Sequence, residues 1–292
     1  MTAKPQTPLQ PLLDAVEGAT PLDTPGASVG KTVRGTISPG PIKDTLSGTW
    51  LGHALHPMLT DVVIGSFLSA TLLDVIGSDD DGTAQRRLIG AGIAAYGPTA
   101  LTGVNDWADA EPTDAAVRRV GLVHAATNAV ALSLYASSLA ARRRGASGRG
   151  KLLSGAGAAV LGLAGYLGGH LSFTKGVGPN QTAYDQGPDD WTSAGESGSF
   201  ENGKPKAVVV GDTPVLVLRH GDHFHAIHDR CSHRGCSLAD TGEIEGEVVE
   251  CGCHGSRFSL RDGSVQRGPA TVGQPAYEVR ESDGKLEIKT LP

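Results

Sequence analysis

Four residues in the last third of this chain have the types and spacing that hold a metal centre. Cys231-Ser-His233 is followed, after 17 residues, by Cys251-Gly-Cys-His254. Each pair places Cys before His. Two arrangements satisfy a set of two Cys and two His. One is a single tetrahedral zinc. The other is a [2Fe–2S] cluster with unlike irons, one taking both thiolates and the other both imidazoles. Imidazole is neutral where thiolate is anionic, so such a cluster carries less negative charge than an all-Cys one. It therefore accepts an electron at a higher potential. Its imidazoles also titrate, which allows the electron to be coupled to a proton.

Such ligands need rigid loops. The spacing suits two tight loops, each at the tip of a β-hairpin and each giving one ligand to each iron. The stretch VVVGDTPVLVLRHGDHFHAI alternates and turns at Gly-Asp, which predicts antiparallel strands. EVVECGC, SRFSL, AYEVRESDG and KLEIKT supply further strands of a small all-β barrel or sandwich. On the same alternation, His220, His223, His225 and His228 are surface or edge side chains.

The residues around the ligands resemble the Rieske family. CSHRG (231–235) and CGCHGSRF (251–258) look like its two cluster loops, and GPA (268–270) like its third, proline-bearing loop. The resemblance covers residues 204–290. It implies a [2Fe–2S] cluster on Cys231, His233, Cys251 and His254, with both histidines facing solvent or a partner. It implies a disulfide between Cys236 and Cys253, which would account for all four cysteines. It makes Ser256 a hydrogen-bond donor to a cluster sulfur and puts Pro269 in the third loop beside the cluster. Phe258 departs from the high-potential members, which carry a Tyr there that bonds a cysteine sulfur. Phe cannot donate, so a lower potential is expected.

The rest of the chain is of another kind. With 292 residues there is room for two domains, and a net charge of −6 without a basic stripe argues against nucleic acid. Residues 1–50 are rich in Pro, Thr and Gly. They lack the apolar core of a signal peptide and read as an irregular arm, apart from a short amphipathic turn at Leu9, Leu12, Leu13 and Val16. Four apolar segments follow, at 57–76, 88–104, 120–141 and 152–173. Each approaches the ~20 residues that cross a bilayer core. Their Gly and Ala allow close helix contact. Asp61 and Asp74 interrupt the first segment, and Pro98 predicts a kink in the second. Arg86 and Arg87 in one loop, with Arg142, Arg143, Arg144, Arg149 and Lys151 in another, would face the cytoplasm by the positive-inside rule. The arm and the β domain would then face outward, where a disulfide persists. Trp50, Trp107 and Trp191 fall on that outer side, as an aromatic belt would.

His53, His56, His124 and His170 fall at one end of this bundle, near Asp61 and Asn128. Intramembrane histidines are functional candidates. Two facing imidazoles suit haem b, and the group also suits a quinone or a purely structural network. GHALHPMLTDVVIG (52–65) resembles the opening of a family of uncharacterised four-helix bacterial membrane domains, often found ahead of a Rieske domain. That family implies no activity.

These readings give an irregular arm (1–50), an all-α four-helix transmembrane domain (51–173), a linker (174–203) and an all-β Rieske domain (204–292). The expected function is one-electron transfer by a multi-pass protein of a bacterial cell membrane. The partners would be the lipid bilayer, a membrane donor (quinol or haem) and a redox partner protein. No residue is assigned a catalytic role. Only 38 residues follow His254, too few for the catalytic domain of a complete Rieske oxygenase. The ferredoxin component of a separate oxygenase and a non-catalytic redox sensor are the alternatives.

Overall fold

The computed structural model describes residues 8–77 and 82–291. Part of the expected turn at 77–87 lies outside these residues. The chain forms two units, one of residues 1–36 and 55–177, the other of residues 37–54 and 178–292. The helices of the first unit are α1 (Gln10–Glu17) and α2 (Asp23–Thr36), then, after α3 (Pro41–Ser47) in the second unit, α4 (Leu55–Ile76), α5 (Thr83–Ala110), α6 (Ala115–Arg143) and α7 (Ser147–Gly169). Among the described residues, α4, α6 and the stretch from Ser147 to Thr174 are long and apolar enough to cross a membrane. The segment expected at 88–104 lies in α5, whose helix runs unbroken through Pro98.

The irregular arm is a correction. Leu13 and Val16 do anchor a short helix, but residues 23–36 are helical as well. Pro25, Gly26, Gly30 and Gly35 mislead, because each internal Gly costs a helix about 0.5–1 kcal/mol relative to Ala. The glycines are used for close approach. A Cβ on Gly26 would stand 2.6 Å from Arg118 Cγ, and one on Gly30 would stand 2.4 Å from Glu111 Oε1. Arg119 holds Asp23 at the helix start through bonds of 2.7 and 2.6 Å. Arg34, in the last turn, reaches Glu111 at 2.8 Å. Glu111 is buried and also takes Arg118 at 2.5 Å. Tertiary ion pairs thus supply what the local sequence lacks.

A polar knot lies inside the bundle. Arg142, expected among the loop cations, is in the last turn of α6, buried and ion-paired with Asp74. Its guanidinium also meets Ser138 Oγ at 3.1 Å and Ser154 Oγ at 3.2 Å. The two hydroxyls are 2.9 Å apart, and Ser138 donates to Gly150 O at 2.7 Å. Asp74, inside the first apolar segment, is therefore paired with a cation that covers it. Trp107 is also not a belt residue. It is buried, with its indole N–H directed at Val117 O at 3.3 Å.

The second unit is two antiparallel sheets. Strands β1 (Thr192–Glu196), β2 (Pro205–Val210), β3 (Thr213–His220), β4 (His223–His228), β9 (Ala276–Ser282) and β10 (Lys285–Thr290) form one, in the order β1-β10-β9-β4-β3-β2. Strands β5 (Glu243–Glu245), β6 (Val248–Glu250), β7 (Arg257–Ser259) and β8 (Val265–Arg267) form the other. Alternation in β3 divides the interior. Leu216 and Leu218 join Ile227, Val249, Phe258, Cys231 and Cys251 in one core. Val215 and Val217 face the opposite way, onto Phe200, Ala194, Leu286 and Ile288.

That second core is why residues 174–203 are not a linker throughout. Their Gly, Pro and acidic composition hides Ala194 and Phe200, which fill the core, and β1, which pairs with β10. Asp185 also packs inward. It accepts from Thr213 Oγ1 at 2.5 Å and lies 3.1 Å from Nε2 of His228. His228, expected at the surface, is fully buried, with Nδ1 accepting from the Arg230 amide at 3.0 Å. Trp191 stacks under Arg280, 4.2 Å from the ring centre, as a cation–π pair.

Removing one partner of a buried ion pair strands the other, at a cost of about 3–5 kcal/mol, whereas replacing both by apolar groups is often neutral. Arg142→Met should therefore markedly lower the thermal stability of the detergent-solubilised protein. The double variant Arg142→Met with Asp74→Leu should recover most of the loss, as a double-mutant cycle would read.

Candidate metal centre

The two loops that carry the Cys/His pairs are built alike. In the first, the Cys231 amide donates to Cys236 O at 2.8 Å and the Gly235 amide to Cys231 O at 2.7 Å. In the second, the Cys251 amide donates to Ser256 O at 2.8 Å and the Gly255 amide to Cys251 O at 2.9 Å. In both, the residue four after the cysteine is a glycine with positive φ, 77° at Gly235 and 78° at Gly255. That left-handed turn is open to Gly without strain. It curls each loop back so that its amides converge on the cysteine sulfur. The first loop is closed by a bridge between Arg230 and Ser237, and the second spans β6 and β7. The second is a hairpin tip, as expected, whereas the first leads from β4 into a short helix, Leu238–Thr241, and is closed by that single bridge.

The loops bring the four candidate ligands together. Cys231 and Cys251 are buried free thiols. The rings of His233 and His254 lie 5.1 Å apart, nearly perpendicular at 84°. Backbone amides of His233 and Arg234 point at the Cys231 sulfur, and those of Cys253 and His254 at the Cys251 sulfur. The hydrogen bond between the thiols, outweighing burial, holds Cys251 down at about 7. The same bond, with burial, pushes Cys231 well above its ordinary value. Burial, aided by Arg234, His254 and Lys43, keeps His233 well below the usual imidazole value. One thiol close to ionising at neutral pH and a neutral imidazole are the forms that metals take. Converging amides also suit anionic sulfur. The donor set and its surroundings therefore fit an iron–sulfur cluster. Both histidines are half-buried rather than fully exposed.

A disulfide joins Cys236 and Cys253 across the loops. Ser256 is buried, and its Oγ accepts from the Ala270 amide at 2.9 Å. This orients the hydroxyl and leaves its own proton to donate. Pro269 follows a cis peptide bond from Gly268 in the third loop. Phe258 is fully buried in the core behind the second loop, paired with Val249 across the sheet.

Residues 37–54 also belong to this unit, and the sequence did not mark them as part of the site. The α3 helix packs on the loops. Thr49 Oγ1 donates to Ala270 O at 3.2 Å, and the Gly268 amide donates to the Asp44 carboxylate. A Cβ on Gly255 would stand 2.7 Å from Pro39 Cγ, and one on Gly268 would stand 2.2 Å from Thr49 Oγ1. Lys43 is 3% exposed. A weak signal was present: Pro41 begins this helix and Gly48 ends it in the left-handed conformation.

The histidines of the helical unit do not form one group. His170 Nε2 meets Glu17 Oε1 at 2.7 Å, beside Lys175. His53 belongs to the other unit, with Nδ1 3.0 Å from Ala54 O. His56 and His124 remain as a pair within electrostatic reach of each other. His56 Nδ1 lies 2.9 Å from Thr99 O, and His124 Nδ1 lies 2.9 Å from Ala164 O. Asn128 Nδ2 is 3.2 Å from His124 Nε2. Gly103 and Gly168 make room for the two rings. Asp61 is exposed.

Paired cysteine–histidine loops on a two-sheet β unit, in one chain with helices long and apolar enough to cross a membrane, fit an iron–sulfur protein. Comparison with known proteins gives the particulars. Residues 190–278 match the Rieske [2Fe-2S] domain, and residues 52–181 match a predicted membrane protein family, DUF2231. The chain is 34% identical over 99 residues to the anthranilate 1,2-dioxygenase ferredoxin subunit of Burkholderia cepacia, covering 34% of this chain and 91% of that protein. It is 37% identical over 79 residues to ferredoxin CarAc of Metapseudomonas resinovorans, covering 27% and 73%. Among solved structures, the ferredoxin of carbazole 1,9a-dioxygenase from Nocardioides aromaticivorans IC177 aligns at 29% identity, over 34% of this chain and 96% of that one, with a TM-score of 0.32. The chain belongs to the Rieske [2Fe–2S] family.

Phe258→Tyr should raise the midpoint potential in voltammetry, because a donor to sulfur stabilises the reduced form more. A difference of about 1 kcal/mol between redox states corresponds to roughly 40–50 mV for one electron. Ser256→Ala should lower the potential by a similar amount. It should also destabilise the third loop by about 1–3 kcal/mol, since it strands the Ala270 amide.

Proposed function

We propose that this chain is a membrane-anchored Rieske electron carrier. Cys231 and Cys251 hold one iron of a [2Fe–2S] cluster, and His233 and His254 hold the other. The observation that carries this reading is the pairing of two buried thiols with two imidazoles 5.1 Å apart on matched loops. When bound, the cluster supplies one-electron transfer. The protein supplies the rest. Amides converging on both sulfurs offset thiolate charge. The core of Leu216, Leu218, Val249 and Phe258 excludes water behind the thiols. The half-buried histidine edges are the shortest way out for an electron, and also for a proton if transfer is coupled.

The helices place the carrier at the lipid bilayer as a multi-pass protein, with a membrane donor and a protein acceptor. A quinol is favoured over haem b as the donor. The ring nitrogens of His56 and His124 are already in hydrogen-bonding contact with Thr99, Thr60, Ala164 and Asn128, which leaves less for an iron. The extracytoplasmic placement of the Rieske unit is supported by the Cys236–Cys253 disulfide, which persists in oxidising compartments. A second reading, the ferredoxin component of a separate oxygenase, is favoured by the relatives, which are named as ferredoxins of dioxygenases. It requires the opposite sidedness.

His233→Ala or His254→Cys should abolish the Rieske electron paramagnetic resonance signal while membrane insertion is unchanged. Retention of the signal in either variant would overturn the ligand assignment. Sidedness separates the two readings. A membrane-impermeant thiol reagent should label Ser197→Cys in intact cells and label Ser147→Cys only after the membrane is opened. The reverse pattern would favour the oxygenase partner.

A further inference from the structure

The β3–β4 hairpin carries histidines that the cluster does not use. Its strands pair in the register His220↔His223 and Leu218↔His225. Cross-strand partners share a face, and so do residues two apart on one strand. His220, His223 and His225 therefore stand on the face of Leu218, which packs with Val249 and Phe258 of the second sheet. Past Leu218 that face reaches solvent, where His220 and His223 are exposed and His225 is half-buried. Glu247 meets them from the turn between β5 and β6. One nitrogen of His220, one of His225 and a carboxylate oxygen of Glu247 all lie within 4.8 Å of one another. His225 Nε2 is 3.6 Å from Glu247 Oε1. That is too long for a hydrogen bond. It matches the gap across a metal ion: zinc binds imidazole nitrogen and carboxylate oxygen at about 2.0–2.2 Å in a tetrahedron, which sets ligand atoms roughly 3.3–3.6 Å apart. Arg261, whose side chain is 70% exposed, takes the other oxygen, Oε2, and leaves Oε1 to the histidines.

We propose that His220, His225 and Glu247 form a second metal site, for a divalent cation of the zinc type, with the fourth position open to water or to His223. Two imidazoles and one carboxylate select such an ion over magnesium or calcium, which take oxygen ligands. The site is separate from the cluster. Strand β4 leads from His225 toward Cys231, and β6 leads from Glu247 toward Cys251. At about 3.3 Å per strand residue, roughly 10–20 Å lie between the two groups. The ligands come from both sheets, so a bound ion pins the β3–β4 hairpin to the β5–β6 turn.

Calorimetric titration of the full-length protein in detergent with zinc chloride tests this, on protein purified without a polyhistidine tag and with its cluster in place. Micromolar zinc should bind at one ion per chain and leave the electron paramagnetic resonance signal of the cluster unchanged. Loss of a second-shell partner alone costs a metal site about 10–100-fold in affinity, so loss of a ligand should cost at least roughly tenfold. His225→Ala and Glu247→Gln should each show that loss. His220→Ala alters an exposed side chain, which keeps the test independent of folding, and should show it too. His53→Ala, at an exposed histidine outside the site, should bind as the unaltered protein does. Zinc should also raise the thermal unfolding temperature of the unaltered protein and not that of His220→Ala. No binding at micromolar zinc would overturn the proposal. So would binding that persists undiminished in His220→Ala and Glu247→Gln, which would put the ion elsewhere. Equal affinity for magnesium would overturn the class of ion.

Discussion

The candidate centre depends on bringing two buried thiols and two imidazoles together from two loops that 17 residues separate, and the construction of those loops serves that constraint. Neither loop can do it alone. Each is curled by a left-handed glycine four residues after its cysteine, so that backbone amides face sulfur. The Cys236–Cys253 disulfide then ties one loop to the other. The core behind the thiols keeps water out, and in such a medium the amides and nearby cations act with more force than they would in water. The same low polarity explains why the polar groups around the centre are committed to partners, such as Ser256 to the Ala270 amide.

The helical unit shows the same economy in another setting. Charged groups inside an apolar bundle are costly unless paired. Asp74 is covered by Arg142 with two serines and Glu111 by Arg34 and Arg118, while the partly exposed Asp23 pairs with Arg119. These pairs join helices whose other contacts are apolar, among them Phe67 stacked on Tyr135 beside Ile89 and Leu161. His56 and His124 extend the pattern, each ring laid against a glycine of a neighbouring helix. Their position near one end of α4 and α6, with Thr60 and Asn128 in contact, resembles a polar network more than an open ligand pocket.

The chain passes between its two units more than once. Residues 37–54 leave the helical unit, join the cluster loops and give way to α4. The helical unit and the β unit are therefore interleaved along the chain. The ferredoxin relatives match about a third of the chain.

Much of the centre was legible from residues alone. Cys231, His233, Cys251 and His254 stand out because metal ligation demands particular side chains at short local spacings, and the strands of the β unit follow from period-two alternation. The apolar helices were legible for a similar reason, since length and composition bear directly on a bilayer. Three things were not legible. The helix over 23–36 has the glycines of a loop, and only its contacts with Arg118 and Glu111 make those glycines an advantage. Ala194 and Phe200 sit in a stretch with a linker's composition, and only the strand pairing of β1 with β10 brings them into a core. His228 reads as a surface residue because nothing in its neighbourhood announces burial. Sequence by itself determined the donor set and the two classes of domain, because those depend on side-chain chemistry and local period. Tertiary structure alone decided what surrounds the donors, because contacts at the loops arise between residues as distant as 49 and 270, and no local pattern encodes that meeting.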